Sequence, residues 1–178
     1  MQDTALNSAP RIFANAPRQS ACADWLLGVA AAIEQARADW SNDGVALFRC
    51  GALFTAVRIP ADIVHAAAGS SAPDDVADAL SALGGPVFFH PRGERFYALT
   101  DPQASWSPSL DAEALAPDTY IGVPALDRTE PDEELSAYWA VPLVDPGELC
   151  DAGAVVKLAA VGREVLDRGR KNGGPAGD

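Results

Sequence analysis

Residues that bind metals or form disulfides are scarce in this sequence. Its 178 residues include three cysteines and two histidines. Cys22, Cys50 and Cys150 lie far apart and lack the paired C-x-x-C spacing of a structural zinc site. An odd number of isolated cysteines is typical of a reducing compartment. We therefore predict a protein without a metal site, and no disulfide is needed to explain its cysteines.

Long hydrophobic runs are also absent. The longest, from Trp25 to Ile33, is far shorter than the roughly 20 residues that cross a bilayer. The first twenty residues contain no apolar run of the kind found in signal peptides. We therefore expect no contact with a membrane and predict a cytoplasmic location.

Basic residues are few relative to acidic ones. The chain has 13 Lys and Arg against 25 Asp and Glu, for a net charge of -12. Within the acidic block 111–151 the only base is Arg128. Non-specific DNA binding is therefore disfavoured. A local basic patch remains able to bind an anion, because salt screens exposed charges beyond about 10 Å.

Several catalytic motifs are missing. The glycine pairs do not form G-x-G-x-x-G or G-x-x-x-x-G-K-[ST], and no serine lies in a G-x-S-x-G elbow. Phosphate-loop enzymes and serine hydrolases are therefore disfavoured, and we assign no catalytic residue. Whether the protein is an enzyme stays open at this point, and the missing motifs favour a protein that is not one.

The residues that are present predict one α+β domain at 20–168, between flexible segments at 1–19 and 169–178. Apolar residues spaced three to four apart predict a helix from Ser20 to Trp40. The remaining predicted elements are strands 45–50 and 53–59 joined by a type II′ turn at Gly51-Ala52, helices 61–68 and 73–83, a hairpin in GPVFFHPRGERFYALT (85–100), strands in TYIGVPAL and AYWAVPL that complete a sheet, and a C-terminal helix capped by Asp145. This order indicates an antiparallel or mixed sheet of hairpins, packed by an N-terminal and a C-terminal helix.

The hairpin at 85–100 predicts a candidate ligand-binding surface. A turn over Pro91–Glu94 pairs His90 with Arg95 and Phe88 with Tyr97, on the face opposite the apolar pair Phe89 and Phe96. The first hairpin is predicted to place two more arginines on the matching face. The candidate ligand-binding residues are Arg49, Arg58, His90, Arg95 and Tyr97.

Two interpretations of this face are open. Guanidinium groups bind phosphate or carboxylate bidentately, and Tyr97 can stack on a base or sugar, so the face suits a nucleotide or another small anion. Alternatively, the arginines lie on a solvated sheet face with their methylenes over aromatic rings. The acidic run DRTEPDEE (127–134) is typical of a solvated loop, or of a surface that docks on a basic protein partner.

The order CGALFTAVRIP, a helix, GGPVFFHPRGERFYALTDP and AYWAVPLVDPGELCDAGAVV resembles small actinobacterial proteins similar to the N-terminal domain of bifunctional DNA primase/polymerases. The resemblance covers about residues 20–166 and implies a prim-pol-like α+β fold that binds nucleotides. Active members of that family hold two metal ions with a carboxylate pair on a core strand. The comparable strands here, VALFRC and LFTAVRI, contain no acid.

The lack of acidic residues on these two strands favours a non-catalytic primase/polymerase-like binding or regulatory domain without a cofactor. A metal-dependent nucleotidyltransferase is the first alternative; it would recruit Mg²⁺ or Mn²⁺ through Asp101 or Asp111. An acidic regulatory protein that binds another protein through the block 111–151 is the second.

Overall fold

The structure is a computed structural model that describes residues 11–107 and 111–173 of the chain. The helices in these ranges are α1 (Arg11–Leu27), α2 (Ile33–Asn42), α3 (Ala61–Ala68), α4 (Pro73–Ser81) and α5 (Ala152–Asn172). The strands are β1 (Val45–Arg49), β2 (Thr55–Pro60), β3 (Val87–His90), β4 (Arg95–Thr100), β5 (Glu113–Ala114), β6 (Tyr120–Pro124) and β7 (Tyr138–Val141). The predicted α+β class is confirmed.

The strands form two antiparallel sheets. The larger sheet has the order β5-β2-β4-β3-β7, and the smaller one pairs β1 with β6. In the hairpin of β3 and β4, Val87 lies opposite Ala98 and His90 opposite Arg95. The predicted register of this hairpin is therefore confirmed.

Both faces of the larger sheet carry buried residues. Val57 and Phe96 pack on one side with residues of α3, α4 and α5. Phe88 and Trp139 pack on the other side with α1 and with the inner residues of the smaller sheet. The N-terminal and C-terminal helices therefore cover opposite faces. Phe88, which was predicted to lie on the mixed polar face, is fully buried.

Helix α5 lies very close to α3 at Gly162. A Cβ atom at this position would lie 2.1 Å from the backbone oxygen of Ile63. Because real Cβ contacts are never so short, the approach of the two helices requires glycine here. This contact anchors the C-terminal helix on the larger sheet through α3.

The predicted first hairpin is wrong. Strands β1 and β2 belong to different sheets and do not pair. Gly51 has the positive φ that a type II′ turn needs, at 105°. However, the Cys50 amide donates to Thr119 and the Cys50 oxygen accepts from the Asp118 amide. The chain therefore passes from one sheet to the other at Gly51-Ala52. Strands β6 and β7, which were predicted to complete one sheet, also belong to different sheets, because β6 pairs with β1 and β7 with β3.

Two helix boundaries also differ from the prediction. The single helix expected from Ser20 to Trp40 is two helices, because α1 ends at Leu27 and α2 begins at Ile33. The N-cap of α5 is Asp151, whose Oδ1 accepts from the Ala154 amide at 2.7 Å, and not Asp145. A side-chain acceptor beside the first free amides satisfies a donor that the helix cannot.

The predicted end segments overlap these helices. Residues 11–19 belong to α1 and residues 169–172 to α5, whereas 1–10 and 174–178 lie outside the described residues. Among the helices of the described ranges, none combines the length and apolar character that crossing a membrane requires.

Candidate functional site

A cleft opens where the smaller sheet meets the β2–β4–β3 part of the larger one. Its volume is about 390 Å³. We call it the inter-sheet cleft, and its polar lining consists of Arg58, His90, Tyr97, Thr119 and Tyr120. Three of these five residues were predicted as ligand-binding residues.

Strand pairing places Arg58 and Tyr97 in the cleft. The two residues lie directly opposite each other in β2 and β4, so their side chains share one face of the sheet. The ring of Tyr97 stacks on Phe88 with centroids 5.1 Å apart. Because Phe88 is buried, this stacking holds the Tyr97 ring in place at the cleft wall.

His90 links the two sheets across the cleft. Its Nε2 lies 2.9 Å from the carbonyl oxygen of Gly122 in β6. A carbonyl only accepts, so Nε2 carries the hydrogen and, in the neutral ring, Nδ1 remains an acceptor. Edge contacts with Phe88 and Tyr97, at 5.7 and 5.5 Å between centroids, further fix the imidazole plane.

Arg58 is the cation of the cleft, and it is paired. Its guanidinium donates to the carboxylate of Glu113 in β5. This hydrogen bond is the main reason that the pKa of Arg58 is raised, with smaller contributions from Tyr97. The side chains of Arg58 and Glu113 are 41% and 63% exposed, so the pair lies at the cleft's solvent edge.

The other two predicted residues lie elsewhere. Arg49, on β1, forms an ion pair with Asp118 at 3.6 Å and does not line the inter-sheet cleft. Arg95 lines a different cavity of about 460 Å³, together with His65 and Arg163. The structure therefore does not bring the predicted cluster of three arginines and His90 together.

The position of Arg95 follows from the turn before β4. Glu94 has φ 48°, in the left-handed region, and Nη1 of Arg95 donates to the backbone oxygen of Glu94 at 3.0 Å. The cavity beside Arg95 also contains Asp62 and Glu94. Acids thus offset its positive charge, which makes it a weaker anion site than the number of arginines suggests.

The carboxylates considered for a metal pair already accept hydrogen bonds from other residues. Arg163 Nε donates to Asp111 Oδ2 at 2.6 Å, and Nη2 donates to Asp111 Oδ1. These bonds lower the pKa of Asp111. Asp101 Oδ1 accepts from the Gln103 amide at 2.7 Å. In the described ranges, no group of three or more His, Cys, Asp or Glu side chains is placed to hold a metal ion.

The cysteines offer no reactive thiolate. Cys22, Cys50 and Cys150 are free and buried. Burial raises the pKa of each thiol, to about 12 for Cys150. A thiol with a raised pKa is a poor nucleophile at neutral pH.

Sequence reasoning missed the residues that β6 and β5 bring to the cleft. Thr119 and Tyr120 reach it because β6 pairs with β1 beside the larger sheet, and Glu113 reaches Arg58 through the two-residue strand β5. The strand signal of TYIGVPAL was recognised, but nothing local in it indicates its partner. The region 101–118 is rich in proline and poorly periodic, so it likewise gave no strand signal for β5.

No protein-family model, curated protein or solved structure matches this chain significantly. The resemblance to primase/polymerase domains therefore stays a prediction.

Proposed function

We propose that this protein is a non-catalytic, primase/polymerase-like binding or regulatory domain that holds a nucleotide, or a similar anion with a ring, in the inter-sheet cleft. The observation that carries the proposal is the convergence of Arg58, His90 and Tyr97 on one cavity. These side chains come from β2, β3 and β4, so their approach depends on the pairing of these three strands.

Each group in the cleft suits part of such a ligand. The guanidinium of Arg58 offers paired N–H donors to a phosphate, and Nδ1 of His90 offers an acceptor in the neutral ring. Tyr120 is 50% exposed, and its ring provides a surface for a base to stack on. A volume of about 390 Å³ lies at the small end of ligand pockets, which favours a mononucleotide over a larger ligand.

The contacts of Asp111 favour binding over metal-dependent transfer. Both of its carboxylate oxygens accept hydrogen bonds from Arg163. A metal ion would have to displace a guanidinium from a bidentate pair, which is among the stronger polar contacts in proteins. We therefore place the function in the cleft and not at Asp111.

The proposal is tested by thermal shift with AMP, ATP, adenosine and a short single-stranded DNA, each with and without Mn²⁺. A ligand at 100 times its Kd stabilises the folded state by about 2.7 kcal/mol, which is readily measured. We expect AMP or ATP to raise the Tm of the wild type without Mn²⁺, and Arg58→Ala to lose most of the shift.

The matched control is Arg37→Ala. Arg37 is also a half-exposed arginine in a single surface ion pair, with Asp24 at 3.0 Å, and it lies on α2 outside the cleft. Its replacement should leave the ligand-induced shift unchanged. The proposal is contradicted if no ligand shifts the wild type, or if Arg58→Ala and Arg37→Ala behave alike.

A further inference from the structure

Arg58, the cation of the inter-sheet cleft, is already paired with an acidic side chain of the protein itself. Glu113 accepts from the Arg58 guanidinium, and β5 places the two residues opposite each other in the sheet. Nη2 of Arg58 donates to Oε2 of Glu113, and such a charge-assisted hydrogen bond is also what a carboxylate or phosphate ligand would make with a guanidinium. Glu113 thus occupies an N–H donor of Arg58 that a ligand's anionic group would otherwise use.

We propose that Glu113 is an internal competitor that must leave Arg58 before an anionic ligand binds, so that the Arg58–Glu113 ion pair holds the free cleft in a low-affinity state. This inference rests on the proposed function of the cleft. It assigns Glu113 a regulatory role that is separate from the role of the residues that touch the ligand.

The surroundings of Glu113 allow it to leave. Strand β5 has only two residues and lies at the edge of the larger sheet, where it pairs with β2 alone. The Glu113 side chain is 63% exposed, and within the described ranges its ion-pair partner is Arg58. When the pair opens, the carboxylate turns into water and no buried polar group loses its partner. Opening therefore requires no rearrangement of the core.

Tethering determines the strength of the competition. Because Glu113 is part of the same chain, it competes intramolecularly and lowers the apparent affinity of an anion by a constant factor. An ion pair with this exposure contributes a factor of about two to five to such an equilibrium. Every ligand that uses Arg58 is weakened by the same factor, and a ligand that does not use Arg58 is unaffected.

The test is calorimetric titration of AMP and of adenosine into the wild type, Glu113→Gln, Arg58→Ala and the double variant. We expect Glu113→Gln to bind AMP about two to five times more tightly than the wild type. We expect no change for adenosine, which lacks the phosphate. In the Arg58→Ala background the Glu113→Gln substitution should have no effect on AMP, since the pair is already broken.

Asp118→Asn is the control that separates loss of the Glu113–Arg58 ion pair from loss of a negative charge in general. Asp118 is also an acid in an ion pair, with Arg49, and it precedes the cleft residue Thr119 in the chain. If it strengthens AMP binding as much as Glu113→Gln does, or if the effect of Glu113→Gln persists without Arg58, a general charge effect replaces the proposed competition.

The remaining outcomes separate this inference from the proposed function. If AMP binding depends on Arg58 but is the same in the wild type and Glu113→Gln, the competition is refuted and the ligand site stands. If AMP binds neither protein while circular dichroism shows both to be folded, the site and the competition are refuted together.

Discussion

His90 and Gly122 are joined by a hydrogen bond from the larger sheet to the smaller one, with Nε2 of His90 2.9 Å from the carbonyl oxygen of Gly122. We expect His90→Ala to lower the free energy of unfolding by about 1 to 2 kcal/mol, because it removes this bond and the ring contacts with Phe88 and Tyr97. Urea denaturation measures the change.

The same substitution at the other histidine is the control. His65 has an edge contact with Phe96 and lies on a helix, where alanine is favourable, so His65→Ala should cost less. An independent check is ¹⁵N-edited NMR of the imidazole, which should show the neutral His90 ring protonated at Nε2. A neutral ring that carries its hydrogen at Nδ1 is incompatible with donation from Nε2 to Gly122.

The Asp111–Arg163 pair makes stability depend on pH. Hydrogen bonds from Arg163 lower the pKa of Asp111 below its unfolded value of about 3.9. The pair therefore stabilises the fold fully above that value, and its contribution is lost as the pH falls through the lower folded pKa. Asp111→Asn should be less stable than the wild type at pH 7, and the difference should shrink toward pH 3.

Denaturant unfolding at several pH values between 3 and 7 measures this difference. Asp24→Asn is the control, since Asp24 is an exposed acid paired with one arginine. A constant difference between Asp111→Asn and the wild type across the whole range would show that Asp111 acts by packing and not by its charge.

Two glycines of α5 should respond in opposite ways to the same substitution. A Cβ at Gly162 would lie 2.1 Å from the Ile63 backbone oxygen, whereas nothing lies within 4 Å of a Cβ at Gly169. Gly162→Ala should therefore destabilise by about 1 to 3 kcal/mol or more through overpacking. Gly169→Ala should stabilise by about 0.5 to 1 kcal/mol, because alanine favours a helix. Equal effects on the urea midpoint would mean that α3 and α5 are not closely packed.

The elements that the sequence predicted well are those whose signals lie within a few residues. Helix α3 begins after Pro60 and ends before Gly69, and the β3–β4 hairpin has the predicted register. In the hairpin, alternation of side chains and the turn at Pro91–Glu94 act on neighbouring residues. Such signals are complete before distant parts of the chain meet.

Capping shows how a local signal can mislead. Asp145-Pro-Gly-Glu148 has the composition of a helix start, but Asp151 caps α5. The chain before Asp151 is held by the Cys150 amide, which donates to Leu99, and the Asp151 amide, which donates to Leu83. These long-range bonds keep the chain extended at Cys150 and Asp151, so the helix begins only at Ala152.

By itself the sequence determined the α+β class, the β3–β4 hairpin and the alternation that places Tyr97 and His90 away from Phe96. Only the tertiary structure decided that β1 pairs with β6 and not with β2, that Arg58 pairs with Glu113, and that Arg95 and His90 line different cavities. The reason is physical. Turns and side-chain alternation depend on neighbouring residues. Pairing between distant strands depends instead on which side chains become buried when the segments pack together, and that burial is set by the whole fold.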